Sequence, residues 1–208
     1  MRRPEFIARQ SRCPTGVLGR LIARVMAQET APANAHLLSL AELQPTDHVL
    51  EIGFGHGRTI ERAAAALTRG FVAGVDLSDD MVRMATRRLR CVIAAGRAEL
   101  RQGDSARLPY ADRRFDKAYA LHTLCFWSHP AQHLSEVRRV LKPGGRFALG
   151  FTPGEDAQAR ANFPASVYHF YDTDAVRRLF QAAGFTDIAL IERDRSVHPV
   201  VFAVARRP

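Results

Sequence analysis

A carboxylate followed by three alternating glycines, Glu51-x-Gly53-x-Gly55-x-Gly57, ends one apolar run and opens a helical pattern. Glycines at such a junction permit a tight turn and close backbone approach to a ligand. The helix start that follows offers unpaired N–H groups. Spacing discriminates the ligand: the dinucleotide fingerprint G-x-G-x-x-G requires a small residue at position 58, where this chain has Arg58. Glu51 would also repel a pyrophosphate, but it could meet a cationic amino group directly or through water. A ligand positively charged near this loop is therefore expected. Asp76, 23 residues beyond Gly53, ends the next apolar run and is placed to accept hydrogen bonds from two ribose hydroxyls. Gly103-Asp104-Ser105 ends a third run and offers a carboxylate to an amino donor such as that of adenine; an aspartate there can equally cap a helix.

Positioning these groups requires a sheet. Short apolar runs alternate with helical patterns from about residue 48: 48–53 (HVLEIG), 71–77 (FVAGVDL), 98–104 (AELRQGD), 115–121 (FDKAYAL) and 146–152 (RFALGFT) read as five strands, and most are too continuously apolar to be half-exposed. Helical spacing links Ile60, Ala63, Ala64 and Leu67, and again Leu134, Val137 and Leu141, the latter stopping at Pro143-Gly144-Gly145. A helix through Val176, Leu179, Phe180 and Ala183 ends at Gly184. The runs 187–194 and 200–206 follow too closely for a crossover helix, so they are expected to pair as an antiparallel hairpin at the sheet edge. Residues 1–45 read as a helical segment covering the sheet or its cleft, and 46–208 as the ligand-binding domain. Within that domain 153–171 lacks a period and is rich in aromatics, which suggests a long substrate loop.

Composition removes other classes. With 47% apolar and 25% charged residues in 208, a disordered, collagenous or disulfide-built chain is not expected. No run approaches the ~20 apolar residues of a membrane span, and the opening segment lacks the apolar stretch of a secretion signal, so a soluble cytoplasmic protein is expected. Cys13, Cys91 and Cys125 are widely separated and carry no CxxC pairing. The net charge of +9 is almost wholly arginine, only Lys117 and Lys142 being lysine. Because the arginines are spread along the chain, solvated helix faces are favoured over a nucleic acid or an anionic membrane surface as their reason. His129 and His133 have helical spacing, yet Pro130 intervenes and no third ligand is evident, so no metal site is expected.

The segments VLEIGFGHGRTI, VDLS, GDSARLPYADRRFDKAYALHTL and RVLKPGGRF resemble the class I S-adenosylmethionine-dependent methyltransferases, especially the small-molecule branch called methyltransferase type 11 or 25, over residues 40 to 205. The resemblance implies a doubly wound, Rossmann-like, seven-stranded and mostly parallel sheet. Its terminal strand would be antiparallel, with helices on both faces. It also implies S-adenosylmethionine as cofactor and S-adenosylhomocysteine as product. Glu51, Gly53 and Gly55 would line the methionine end, Asp76 would bind the ribose, Leu77 would pack on the adenine, and Asp104 and Ser105 would recognise its edge. His122, after the fourth strand, would lie near the sulfonium.

Methyl transfer from a sulfonium demands alignment first; a general base adds ~10²- to 10⁴-fold only when the acceptor must lose a proton early. His122 is the candidate for that base. The acceptor, a small molecule, is expected among the amino-terminal helix, Phe126 and Trp127, and the loop aromatics Tyr168, His169 and Tyr171. Competing readings place a phospholipid headgroup or RNA in the site, or make the protein a non-catalytic cofactor binder. The sequence leaves the acceptor, the reacting atom and the oligomeric state open.

Overall fold

The computed structural model describes residues 3–193 and 199–208. In chain order the elements are α1 (Glu5–Arg12), α2 (Gly16–Glu29), α3 (Ala31–Ala41), β1 (His48–Ile52), α4 (Arg58–Ala66), β2 (Phe71–Asp76), α5 (Asp79–Arg88), α6 (Arg90–Ala94), β3 (Ala98–Gln102), β4 (Phe115–Leu121), α7 (Pro130–Val140), β5 (Leu141–Phe151), α8 (Ala157–Asn162), α9 (Thr173–Ala182), β6 (Thr186–Arg193) and β7 (Val200–Arg206). Short 3-10 turns cover Ser105–Arg107 and Leu124–Phe126.

The strands form one seven-stranded sheet in the order β3-β2-β1-β4-β5-β7-β6. The first five pair in parallel, and β7 lies antiparallel between β5 and β6. The expected hairpin thus exists, with β6 at the edge; Asp194 and the connection after it lie outside the described residues. Winding proceeds from β1 outward to β3, then returns to start again at β4 on the other side of β1. Ligands of open α/β sheets sit beyond the carboxyl ends of the strands at such a reversal, and here those ends are Ile52 and Leu121.

Side chains alternate across the pleat and so feed two cores. Leu50, Ile52, Ala118, Ala120, Phe147 and Leu149 pack on one face with Val137 of α7 and Phe180 of α9. Val49, Val72, Tyr119, Ala148 and Phe202 pack on the other with Leu37 of α3 and Ile60 and Ala63 of α4. The helix α3 therefore belongs to the core layer, while α1 and α2 lie further toward the strand ends.

Two segments depart from the sequence reading. Pro143-Gly144-Gly145 is a bulge inside β5 rather than a stop before it. Leu141 pairs with Phe115, pairing resumes at Arg146 opposite Lys117, and the bulge is held by a Gly144 N–H bond to Arg207 O and an Arg207 N–H bond to Gly145 O. The stretch 153–171 contains α8, whose start is capped by Asp156 accepting from the N–H groups of Gln158 and Ala159. Six residues are too short for a helical period to stand out among the aromatics around them.

Candidate functional site

β1 and β4 are neighbours, and their register sets Glu51 opposite Tyr119 and Ile52 opposite Ala120. The residues just past each strand therefore meet. Gly53 has φ +73°, and a Cβ built on it would stand 2.6 Å from Thr123 Cγ2, so glycine is required here both by conformation and by space. Gly57, at φ +86°, starts α4 while its Cα side presses on Ala85, which a Cβ would approach to 2.7 Å. One glycine of the loop thus serves the turn beside β4, and another lets α4 and α5 pack together.

Around this loop lies an open cavity of about 190 Å³. Its floor is Glu51, Ile52, Gly53, Gly55 and Asp76, with Leu77, Gly103 and Ser105 to one side and His122, Thr123, Phe126 and Trp127 to the other. Its outer wall is Met26, Ala27 and Thr30, from α2 and its end, and Asn34 from α3. Arg12, Arg58 and Arg62 also line it.

The two carboxylates of the floor are buried. Glu51, 5% exposed, accepts a 2.8 Å hydrogen bond on Oε2 from Tyr119 Oη. Burial pushes its carboxyl up to about 8; the Tyr119 bond pulls the other way, and the Asp76 charge adds to the rise. Asp76 accepts from Gly55 N–H at 2.8 Å and Ser78 N–H at 2.9 Å. Burial raises its carboxyl despite those two bonds. Ser78 in turn caps α5 through Met81 N–H and donates its own hydroxyl to Pro14 O, tying the α1–α2 turn over the cavity.

On the β4 side His122 has φ +55°, a left-handed conformation unusual for a non-glycine residue. Its N–H bonds to Gly150 O at 2.8 Å, extending the β4–β5 ladder through the turn. Such backbone costs of order 1 kcal/mol or more and persists where the surroundings over-determine it. The side chain lies between two spaces, the main cavity and a hollow of about 10 Å³ lined by Cys125, Phe151, Thr152, His169 and Tyr171. The Cys125 thiol, pushed up to about 12 by burial, donates to His122 O. His56, in the glycine loop and also on the cavity, is lowered to about 4 by burial and by the nearby Arg88, Arg58 and Arg24.

The sequence-derived residues divide accordingly. Glu51, Gly53, Gly55, Asp76, Leu77, Ser105, His122, Phe126 and Trp127 all line the cavity. Asp104 does not. Its carboxylate is exposed and caps the following 3-10 turn through Ala106 N–H at 2.9 Å. Tyr168 is packed with Ala8, Phe126 and Phe163 and receives a bond from Arg3, which also stacks over Phe163. His169 and Tyr171 line only the hollow behind His122, with Tyr171 Oη donating to Trp127 O at 3.0 Å. None of these three residues lines the main cavity: Tyr168 packs among its loop neighbours and α1, Tyr171 packs on the sheet core, and His169 is exposed.

Four residues in or beside the cavity escaped the sequence reading. Tyr119 sits mid-strand, and only the β1–β4 register reveals it as the partner of Glu51. His133, considered only for a metal, is buried, pairs through Nδ1 with Ser105 Oγ at 2.8 Å, and stacks on Trp127 at 4.6 Å and 2°. Arg12 and Arg62 carry no local signature at all.

A family model for a methyltransferase domain matches residues 50–149. An uncharacterized methyltransferase of Bacillus subtilis, YdaC, is 27% identical over 88% of this chain and 96% of its own length. An O-methyltransferase of Pyrenophora dematioidea is 25% identical over 75% of this chain, which spans only 60% of that protein. The fold superposes on a SAM dependent methyltransferase from Aquifex aeolicus with a TM-score of 0.69 at 19% identity, over 84% of this chain and 88% of the other.

Proposed function

Because the chain belongs to the class I S-adenosylmethionine-dependent methyltransferases, we propose that it methylates a small-molecule acceptor held in the outer part of the cavity described above. The observation that carries this reading is the continuity of that cavity. It runs from the buried carboxylates past His122 to an apolar wall of Met26, Ala27, Phe126 and Trp127.

The residues present fit the cofactor. Asp76 has two of its roughly four acceptor positions filled by Gly55 and Ser78, leaving capacity for two ribose hydroxyls. Glu51, once ionised, offers a buried anion to an ammonium group, with Tyr119 fixing its orientation. Ser105 and Leu77 border the side where the adenine would lie. When bound, S-adenosylmethionine supplies an electrophilic methyl group on a sulfonium centre.

The chain's own contribution is alignment and exclusion of water. His122 is held rigidly at the strand end by its bond to Gly150 and by its place between cavity and hollow. From there its imidazole can take a proton from an acceptor hydroxyl or amine at the cavity side. Trp127, fixed on one face by His133 and through its carbonyl by Tyr171, borders the cavity as a buried, rigid part of its wall beside Phe126, where an acceptor can be ordered. Such positioning is worth more to a displacement than any single acid or base. The O-methyltransferase relative supports an oxygen atom as the acceptor.

The test is untargeted mass spectrometry of a metabolite extract incubated with protein and S-adenosylmethionine. A product heavier by ~14 Da that requires both components is expected. Tight cofactor binding with no methylated product in any extract would overturn the reading in favour of a binding protein.

A further inference from the structure

The cavity is charged unevenly. Among the described residues its only carboxylates are Glu51 and Asp76, both buried on the floor, whereas three guanidiniums border it: Arg12 from the end of α1, and Arg58 and Arg62 from α4. All three are exposed, and none makes an ion pair or side-chain hydrogen bond with the described residues. The acids nearest in the fold are taken. Glu61 pairs with Arg88 at 2.9 Å, and Asp80 pairs with Arg20 and Arg83, each at 3.2 Å. Glu29, exposed on α2, does not line the cavity.

Two of these arginines are placed against the stability of the helix that carries them. Arg58 is the first residue of α4, where the helix dipole disfavours a cation. Arg62 follows four residues later on the same face, and like charges at that spacing destabilise a helix. An anion between the two side chains would offset both effects. S-adenosylmethionine does not supply enough of one: it brings an ammonium and a sulfonium with a single carboxylate, so its entry adds positive charge. Even with that carboxylate on one arginine, the other two keep no counter-charge. His56 reports the same excess, since burial and then Arg88, Arg58 and Arg24 hold its imidazole at about 4.

We propose that the methyl acceptor is an anion, a small apolar molecule bearing a carboxylate or phosphate group. Arg12, Arg58 and Arg62 hold that group at the open side of the cavity while the body lies along Met26, Phe126 and Trp127. This rests on the methyl-transfer reading above and narrows its substrate class. A neutral metabolite would satisfy only the apolar wall, and a cationic one would be repelled.

Two measurements test it. In the first, protein saturated with S-adenosylhomocysteine, whose own carboxylate is then in place, is titrated by calorimetry with benzoate, phenyl phosphate and the neutral isostere benzamide. At least one of the two anions should bind about tenfold or more tightly than benzamide, the tighter one naming the oxyanion. That advantage should be lost in Arg12→Gln and in the Arg58→Gln/Arg62→Gln pair. The pair should melt no lower than the unaltered protein, because the unfavourable charges on α4 are gone, and this separates a lost ligand contact from a damaged fold. No preference for the anions would overturn the proposal. So would variants that weaken S-adenosylhomocysteine but leave the preferred anion unaffected, which would assign the arginines to the cofactor carboxylate. In the second, a metabolite extract is divided on an anion exchanger before incubation with protein and S-adenosylmethionine. A ~14 Da addition in the anionic fraction is expected. A product confined to the neutral and cationic fraction would overturn the proposal and leave small-molecule methylation standing. No product in either fraction would instead defeat that underlying reading, and the calorimetry would still decide whether the cavity takes an anion.

Discussion

Cofactor affinity should rise steeply with pH through neutrality, because the carboxyl that would meet the ligand ammonium is protonated in the free protein. Burial holds Glu51 at about 8. Only about one molecule in a hundred is then ionised at pH 6 and about half at pH 8, so binding that requires the carboxylate gains about 50-fold. The α-amino group of the ligand, with an ordinary pKa of roughly 8, loses about half its charge over the same interval, leaving a net gain of about 25-fold. Calorimetry with S-adenosylmethionine at pH 6, 7 and 8, in buffers of differing ionisation enthalpy, should show this gain and the release of nearly one proton at pH 7. Glu51→Gln should bind more weakly at pH 8 and lose the rise. Stability moves the opposite way. A folded-state value above the usual 4.5 stabilises the ligand-free protein at low pH, and that contribution is lost as pH climbs toward about 8. Glu51→Gln should therefore melt progressively higher than the unaltered protein as pH rises from 6 to 9. A pH-independent affinity, or the same 25-fold gain in the glutamine variant, would refute the reasoning.

Tyr119→Phe removes the bond that lowers the Glu51 value; affinity at pH 7 should fall by about three- to tenfold and its pH rise should shift upward, readable in the same titrations. Gly53→Ala places a methyl against Thr123 at a positive φ and should cost about 1–3 kcal/mol of stability along with cofactor binding, measured by denaturant melts and thermal shift. His122→Ala should lower turnover by ~10²-fold or more with cofactor affinity little changed once an acceptor is found; unchanged turnover at saturating acceptor would remove it as a base.

Much of the frame was legible because its signals are local. Apolar runs and helical spacing give the strands and helices, and Gly53 and Asp76 stand at strand ends that line the cavity. What the sequence concealed depends on contacts between distant segments. Tyr119 reaches Glu51 across 68 positions, and His133 reaches Ser105 across 28. No periodicity encodes either. The aromatic loop was ambiguous for a related reason: aromatics mark a pocket wall and a packed loop equally well, and Tyr168 and Phe163 pack at 4.8 Å between ring centroids. Asp104 shows the same ambiguity: a strand-end aspartate can cap as readily as bind, and its carboxylate caps the following turn outside the cavity lining.

The net charge of +9 and a site for a cation are compatible because the two act over different distances. At physiological ionic strength charges more than about 8 Å apart through solvent are largely screened, and the surplus arginines are spread over exposed surface. Glu51 and Asp76 are nearly excluded from water and within mutual electrostatic reach, where the effective dielectric is low and a nearby cation is felt strongly. Their cost in the free state is the same desolvation that makes them effective. The protein avoids it by leaving Glu51 protonated and by giving Asp76 two backbone donors. A ligand ammonium would then supply the missing positive charge, and ionisation of Glu51 and cofactor binding would become one coupled event. Substituting surface arginines away from the cavity should consequently leave cofactor affinity at ordinary salt within about twofold, measured by the same calorimetry, while Glu51 and Tyr119 variants move it.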